Sequence, residues 1–305
     1  MNDLITDIKS LELETIKNLR NSKSENTLRA YQSDYNDFSL FCTKNGFQAM
    51  PTQPKILALY ITHLSSYSKY STLKRRLASI SILHKTNGHY IDTKHPIIME
   101  NLMGIKRTNG SNQKGKKPLL INDLKMLINA IDQSNEKDKR KIRDKALILI
   151  GFSGGFRRSE LVDIEYEDLE FVSEGVKIFV KRSKTDQSGE GMTKAIPYFD
   201  NKNFCPVIAL KNWIEIFDLK KNRIFNISDK SVALIIKKYA SYAGLDSHRY
   251  AGHSLRSGFA TSTAESGAEE RNIMAMTGHK STEMVRRYIK EANLFKNNAL
   301  NSIKI

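Results

Sequence analysis

The sequence predicts a mainly α-helical protein in two parts, with one small β-hairpin confined to the second. Three observations carry this expectation. Apolar residues recur at helical spacing through most of the chain. A polar, basic stretch without that periodicity, residues 107–118 (RTNGSNQKGKKP), interrupts them and reads as a linker. In the second part, residues 176–180 alternate instead around Lys177, and turn-forming residues separate them from a returning run at 194–198.

Residues 1–106 read as a helical bundle. Leu4, Ile8, Leu11, Ile16 and Leu19 approximate a first stripe. Ser24 is an N-cap candidate, because its hydroxyl can take a free N–H of the next helix's first turn. That helix gathers Leu28, Tyr31, Tyr35, Phe38 and Phe41 on one face. Pro51 and Pro54 precede a helix over 55–66; Leu73, Leu77, Ile80 and Leu83 mark another over 71–87, and a short one over 96–105 closes the unit. Arg29, Lys74, Arg75 and Arg76 are candidate phosphate contacts here, the last three expected exposed beside the core. In the linker, Lys114, Lys116 and Lys117 lack compensating acids and could lie against a polyanion.

The second part, 119–305, should open with helices over 121–133 and 138–152, then break at Gly154 and Gly155 before a helix over 158–165. The hairpin follows, with Lys184 in the turn-rich segment 184–191 (KTDQSGEG). Further helices are expected at 206–217, 229–243, 253–266, 269–277 and 281–290. Leu294, Phe295, Ala299, Leu300 and Ile303 suggest a C-terminal helix.

A chain of 305 residues can hold two cores, and 49 Lys+Arg against 33 Asp+Glu leave a net charge of +16. Such an excess points to a polyanionic partner, nucleic acid before others. Cys42 and Cys205 lie far apart without metal-ligand neighbours, as free thiols of a reducing compartment do. No leader-like segment and no apolar run of membrane-spanning length is present, so a cytoplasmic protein without membrane contact is expected. The chain lacks GxxxxGK[ST] and HExxH, and no cysteine joins His248 and His253 into a zinc set. Neither a metal nor another cofactor is expected.

Arg157, in GGFRRSEL, sits at a turn opening a helix, where free N–H groups and the helix dipole favour an anion. Its guanidinium fork matches two phosphate oxygens, and Glu160, one turn on, could fix it. His253 and Arg256, in GHSLR, project from one helix face at i and i+3, pairing a proton-transfer group with a phosphate cation. His279 precedes Tyr288 by nine residues in GHKSTEMVRRY. A tyrosine of ordinary pKa, about 10, is a poor nucleophile unless cations or a base assist it. Lys184 could protonate a leaving oxygen. Singly, each of these has an ordinary reading: a surface ion pair, an exposed polar face, a half-buried core tyrosine, a surface lysine.

Taken together, these boxes resemble the tyrosine recombinase family of phage integrase, Cre and Xer type. GGFRRSEL resembles the family's first arginine box, with Arg157 rather than Arg158 at the catalytic place because it stands three before the acid. RSKTDQSGEG resembles the lysine hairpin, GHSLR the His-x-x-Arg box, and TGHKSTEMVRRY the later histidine and the nucleophile. SENTLRAYQSDYNDF resembles the core-binding module, and the likeness spans about residues 20–295 in the family's order. His279 follows the integrase and Xer pattern; Cre has tryptophan there. The resemblance implies a helical core-binding domain, a catalytic tyrosine recombinase domain, and strand exchange through a 3′-phosphotyrosine without metal or ATP. It also implies double-stranded DNA with an inverted-repeat site as partner, and a homotetramer on two sites formed from free monomers or weak oligomers. An early start of the core-binding module favours a simple recombinase without an arm-binding domain. Two rivals stand beside it. A type IB topoisomerase shares the tyrosine chemistry, and a DNA-binding regulator could use residues 269–290 as a helix-turn-helix.

Overall fold

Residues 8–110, 115–181, 190–292 and 299–303 are described in the computed structural model of the chain. Contacts divide it into two units, Met1–Lys114 and Gly115–Ile305.

The first unit contains α1 (Ile8–Asn21), α2 (Glu25–Lys44), α3 (Pro54–Ser65), α4 (Tyr70–Thr86) and α5 (Pro96–Asn109). Ser24 caps α2, its hydroxyl accepting from the Thr27 amide at 3.3 Å. Pro54 and Pro96 stand in the first turns of α3 and α5, where a missing N–H costs nothing. Phe38, Leu57, Tyr60, Ile61, Leu64, Leu73, Leu77, Ile80, Ile98 and Leu102 form the core, so the predicted stripes of α2 and α4 face inward through most of their length. Leu28, at the start of the α2 stripe, is exposed. The α1 stripe is not buried where it is described: Ile8 and Leu11 are exposed, while Leu4 and the side chains of Ile16 and Leu19 lie outside the described residues.

In the second unit, α6 (Ile121–Gln133) and α7 (Asp138–Ser153) precede the short α8 (Arg158–Val162). A three-stranded antiparallel sheet follows, β1 (Leu169–Val172), β2 (Gly175–Val180) and β3 (Met192–Pro197), in that order across the sheet. The helices α9 (Pro206–Ile216), α10 (Asp229–Tyr242), α11 (His253–Glu265), α12 (Glu270–Thr277) and α13 (Thr282–Ala292) complete it. The central helix is α7, on which every residue from Ala146 to Ile150 is fully buried, as the apolar run 146–152 predicts.

Four expectations are corrected. The helix expected over 158–165 stops at Val162, because the backbone of Ile164 accepts from Ile224 and Glu165 bridges to Arg223. Strand β1 escaped prediction: its four residues are too few for alternation to register, and pairing with β2 is what makes it a strand. Both described ends of the expected linker, residues 107–118, are held. Helix α5 continues to Asn109, and the far end is bonded to the second unit through Lys117 N to Arg249 O at 2.8 Å and Leu119 N to Ser254 O at 2.9 Å. The described part of the C-terminal stripe is a 3₁₀ turn, Ala299–Ser302, with Leu300 and Ile303 exposed, while Leu294 and Phe295 lie outside the described residues. Among the described residues, no helix is long and apolar enough to cross a membrane.

Candidate active site

The Gly154–Gly155 turn starts the site. Gly155 adopts φ +55°, a left-handed conformation that swings the chain out of α7 and into Arg157. Arg157 is the N-cap residue of α8. Glu160, on that first turn and 5% exposed, takes the Arg157 amide at 2.9 Å and its Nη1 at 2.5 Å. One carboxylate thereby fixes both the helix start and the guanidinium. Arg158 goes elsewhere: it pairs with Asp229 at 3.6 Å and covers Gly252 of the GHSLR box.

Arg256 is 1% exposed on α11, and its Nη1 donates to the Gly155 carbonyl at 2.9 Å. Its Nη2 is buried with no hydrogen-bond partner among the described residues. A buried guanidinium with a donor to spare is costly unless an anion completes it. Burial, then the Arg157 charge, pushes its pKa down to about 10, so it stays cationic at neutrality. Helix α11 is seated by Gly258, where a Cβ would meet the Leu119 carbonyl oxygen at 2.0 Å.

His253 opens α11, and its Nε2 lies 3.3 Å from the Tyr288 hydroxyl on α13. Burial and the charges of Arg256, Arg157 and Arg158 hold its pKa below the ordinary range. Tyr288 is 8% exposed, packed with Ala260, Ile273 and Val285. His279 bonds through Nδ1 to Thr277 Oγ1 at 2.8 Å, and its ring centroid is 6.1 Å from that of Tyr288. Its pKa is pushed down to about 4 by burial first, then by Arg256 and Arg157. Both imidazoles are therefore neutral near pH 7, each with one ring nitrogen that can accept a proton and one N–H that can donate a hydrogen bond.

Arg157, Glu160, His253, Arg256, His279 and Tyr288 are thus brought into one site from α8, α11, α13 and the turn after α12. Lys184 lies outside the described residues. Sequence reasoning missed Lys194, 1% exposed on β3, which donates to the Gly154 carbonyl at 2.7 Å and the Met276 carbonyl at 2.6 Å. The one available signal was its parity with Ile196, which places it on the inward face of its strand.

The candidate phosphate contacts fare differently. Arg76 is not exposed: it is half-buried, donates to Tyr60 Oη at 2.6 Å and pairs with Asp37 and Asp34. Arg75 pairs with Asp34, and Arg29 with Glu25 at 2.7 Å. Lys117 does have a compensating acid, Asp123 at 2.8 Å, brought close by folding rather than by sequence. Lys116 donates to the His248 carbonyl at 2.6 Å. Lys74 is exposed, and Lys114 lies outside the described residues.

Comparison with known proteins gives this geometry its family. The model of the phage integrase family matches residues 118–294. The chain is 43% identical over 306 residues to an integrase/recombinase XerD homolog of Selenomonas ruminantium, covering 95% of this chain and 89% of that protein. It is 26% identical to the tyrosine recombinase XerC of Syntrophus aciditrophicus (strain SB), with 91% of each covered. Among solved structures, it shares its fold with the XerH site-specific recombinase bound to palindromic difH substrate, at TM-score 0.65 and 17% identity, over 86% of this chain and 77% of that one. A lambda integrase dimer bound to a COC′ core site matches at TM-score 0.59 and 17% identity, over 96% and 78%. The chain belongs to the phage integrase family and is a tyrosine recombinase, an enzyme of the Xer-like, site-specific kind.

Proposed function

We propose that this recombinase cleaves and rejoins double-stranded DNA through a 3′-phosphotyrosine formed on Tyr288. The Tyr288 oxygen attacks the scissile phosphorus while the bond to the 5′-oxygen breaks. The phenolic proton passes to neutral His253, and Lys184 protonates the departing 5′-oxygen, the role its box implies. Arg157 and Arg256 hold the non-bridging oxygens, where charge grows in the transition state, and His279 donates a further hydrogen bond. The phosphotyrosine retains the energy of the broken ester, so a 5′-hydroxyl from a second strand can reverse the step without a nucleotide or a metal.

The observation that carries this reading is the Tyr288 hydroxyl 3.3 Å from His253 Nε2, beside a buried Arg256 whose Nη2 has no hydrogen-bond partner among the described residues. XerH on a palindromic substrate and a lambda integrase dimer on a core site set the expectation of an inverted-repeat DNA partner. Strand exchange between two such sites calls for four protomers, assembled from monomers or weak oligomers in the cytoplasm.

The test uses nicked duplexes carrying the inverted repeats that flank the gene, followed by denaturation in SDS. Wild type should give a covalent protein–DNA band that Tyr288→Phe abolishes; no band from folded wild type sinks the reading. Adding an intact second site separates recombination, which exchanges strands, from the relaxation expected of a type IB topoisomerase.

A further inference from the structure

Lys194 buries an ammonium group on the inward face of β3, a position its neighbour two residues on fills with Ile196. An aliphatic side chain would pack there without the cost of desolvating a charge. What compensates the charge is specific. Nζ reaches the carbonyls of Gly154 and Met276 and lies 4.5 Å above the Phe156 ring. Each carbonyl belongs to a helix C-terminus that carries a site group. Gly154 ends α7 and adjoins Gly155, whose carbonyl takes Arg256. Met276 lies in the last turn of α12, next to Thr277, whose hydroxyl holds His279. Helix C-termini are negative ends, and two of them facing the site would oppose a phosphate.

We propose that Lys194 is a positioning residue for strand cleavage: it ties the ends of α7 and α12 to β3, neutralises both, and so sets Arg256 and His279 toward one phosphate. The inference rests on the cleavage reading above. Burial pushes the Lys194 pKa down to about 7; among the charged groups around it, Glu160 on α8 favours its cation, and Arg256 and Arg157 oppose it. Lys194 in turn is among the charges that hold the His279 pKa down.

The experiment compares Lys194→Met and Lys194→Arg in the full chain. The probe is the nicked inverted-repeat duplex, with affinity read by mobility shift, covalent adduct by SDS gel and folding by thermal melt. Loss of positioning should slow adduct formation by Lys194→Met ~10²-fold while the DNA-bound fraction is unchanged. Lys194→Arg, which keeps a cation and donors for both carbonyls, should restore part of the rate. In the DNA-free protein, the NMR titration midpoint of His279 should rise in Lys194→Met and return toward the wild-type value in Lys194→Arg, which restores the charge. A folded, DNA-bound Lys194→Met that forms adduct at the wild-type rate overturns the proposal. If the Met variant does not fold, Lys194→Gln replaces it under the same criterion. Wild type that forms no adduct sinks the cleavage reading instead, so the two failures are told apart.

Discussion

The Tyr288 hydroxyl lies 3.3 Å from His253 Nε2, joining the middle of α13 to the first turn of α11. The proposed nucleophile and its proposed base therefore ride on separate helices, and the contact exists only when α13 packs against α11. His253→Gln keeps a polar group of similar size but cannot take the proton at neutral pH. Adduct formation should fall by about 10²-fold with binding intact, measured by single-turnover cleavage.

The same contact sets a pH dependence. A base must be neutral to act, and burial, then the cationic surroundings, hold the His253 pKa below its ordinary value of about 6.5. Cleavage should persist through pH 6.5 and fall only at lower pH, as protonation removes the acceptor. A rate profile that already drops between pH 8 and 7 would contradict this sign.

His279 makes an independent prediction about stability. Its folded pKa of about 4 lies below the unfolded value, so the unfolded chain binds more protons at mildly acid pH. The contribution is fully present above pH 6.5 and is lost as pH falls toward 4. Urea midpoints measured at pH 7.5 and 5 should show the loss, and His279→Gln should lessen it.

Arg157→Lys keeps the charge and removes the fork that Glu160 orients. Because the interaction tightens as charge develops on the phosphate, the variant should lose adduct rate by roughly 10-fold and Arg157→Ala by about 10², both while retaining DNA affinity. Unchanged rates in either would remove Arg157 from the phosphate clamp.

In the first unit, two neighbouring cations should behave in opposite ways. Arg76→Ala strips partners from Asp34, Asp37 and Tyr60 and should cost about 1–3 kcal/mol in denaturant unfolding. Lys74→Ala removes an exposed charge and should leave stability alone while lowering the slope of log affinity against log salt by about 1.

Most helices of both units were legible because their apolar stripes are also their buried faces: Leu73, Leu77 and Ile80 of α4 show the pattern plainly. The site was legible for a different reason. The residue types His253, Arg256, His279 and Tyr288 sit in short boxes whose spacing folding preserves. What escaped depends on partners distant in sequence. Strand β1 exists through its pairing with β2, and Lys194 matters through carbonyls on α7 and α12. Lys117 looked uncompensated because Asp123 is brought to it by the turn into α6, and Arg76 looked exposed because its acids stand on α2. Charge read from sequence located basic segments without telling which cations are already engaged.

The bonds from Lys117 to Arg249 and from Leu119 to Ser254 have a practical consequence for cutting the molecule. They run along the residues that lead into His253, and Gly258 fits against the Leu119 carbonyl one turn further on. A C-terminal fragment beginning at Leu119, where the helical pattern resumes, would discard half of this seam and free the entry to α11. One beginning at Gly115 would keep it. The residues from Lys117 to Leu119 at the head of the second unit are thus also a brace for the start of α11, and trimming them loosens the helix on which the proposed base stands.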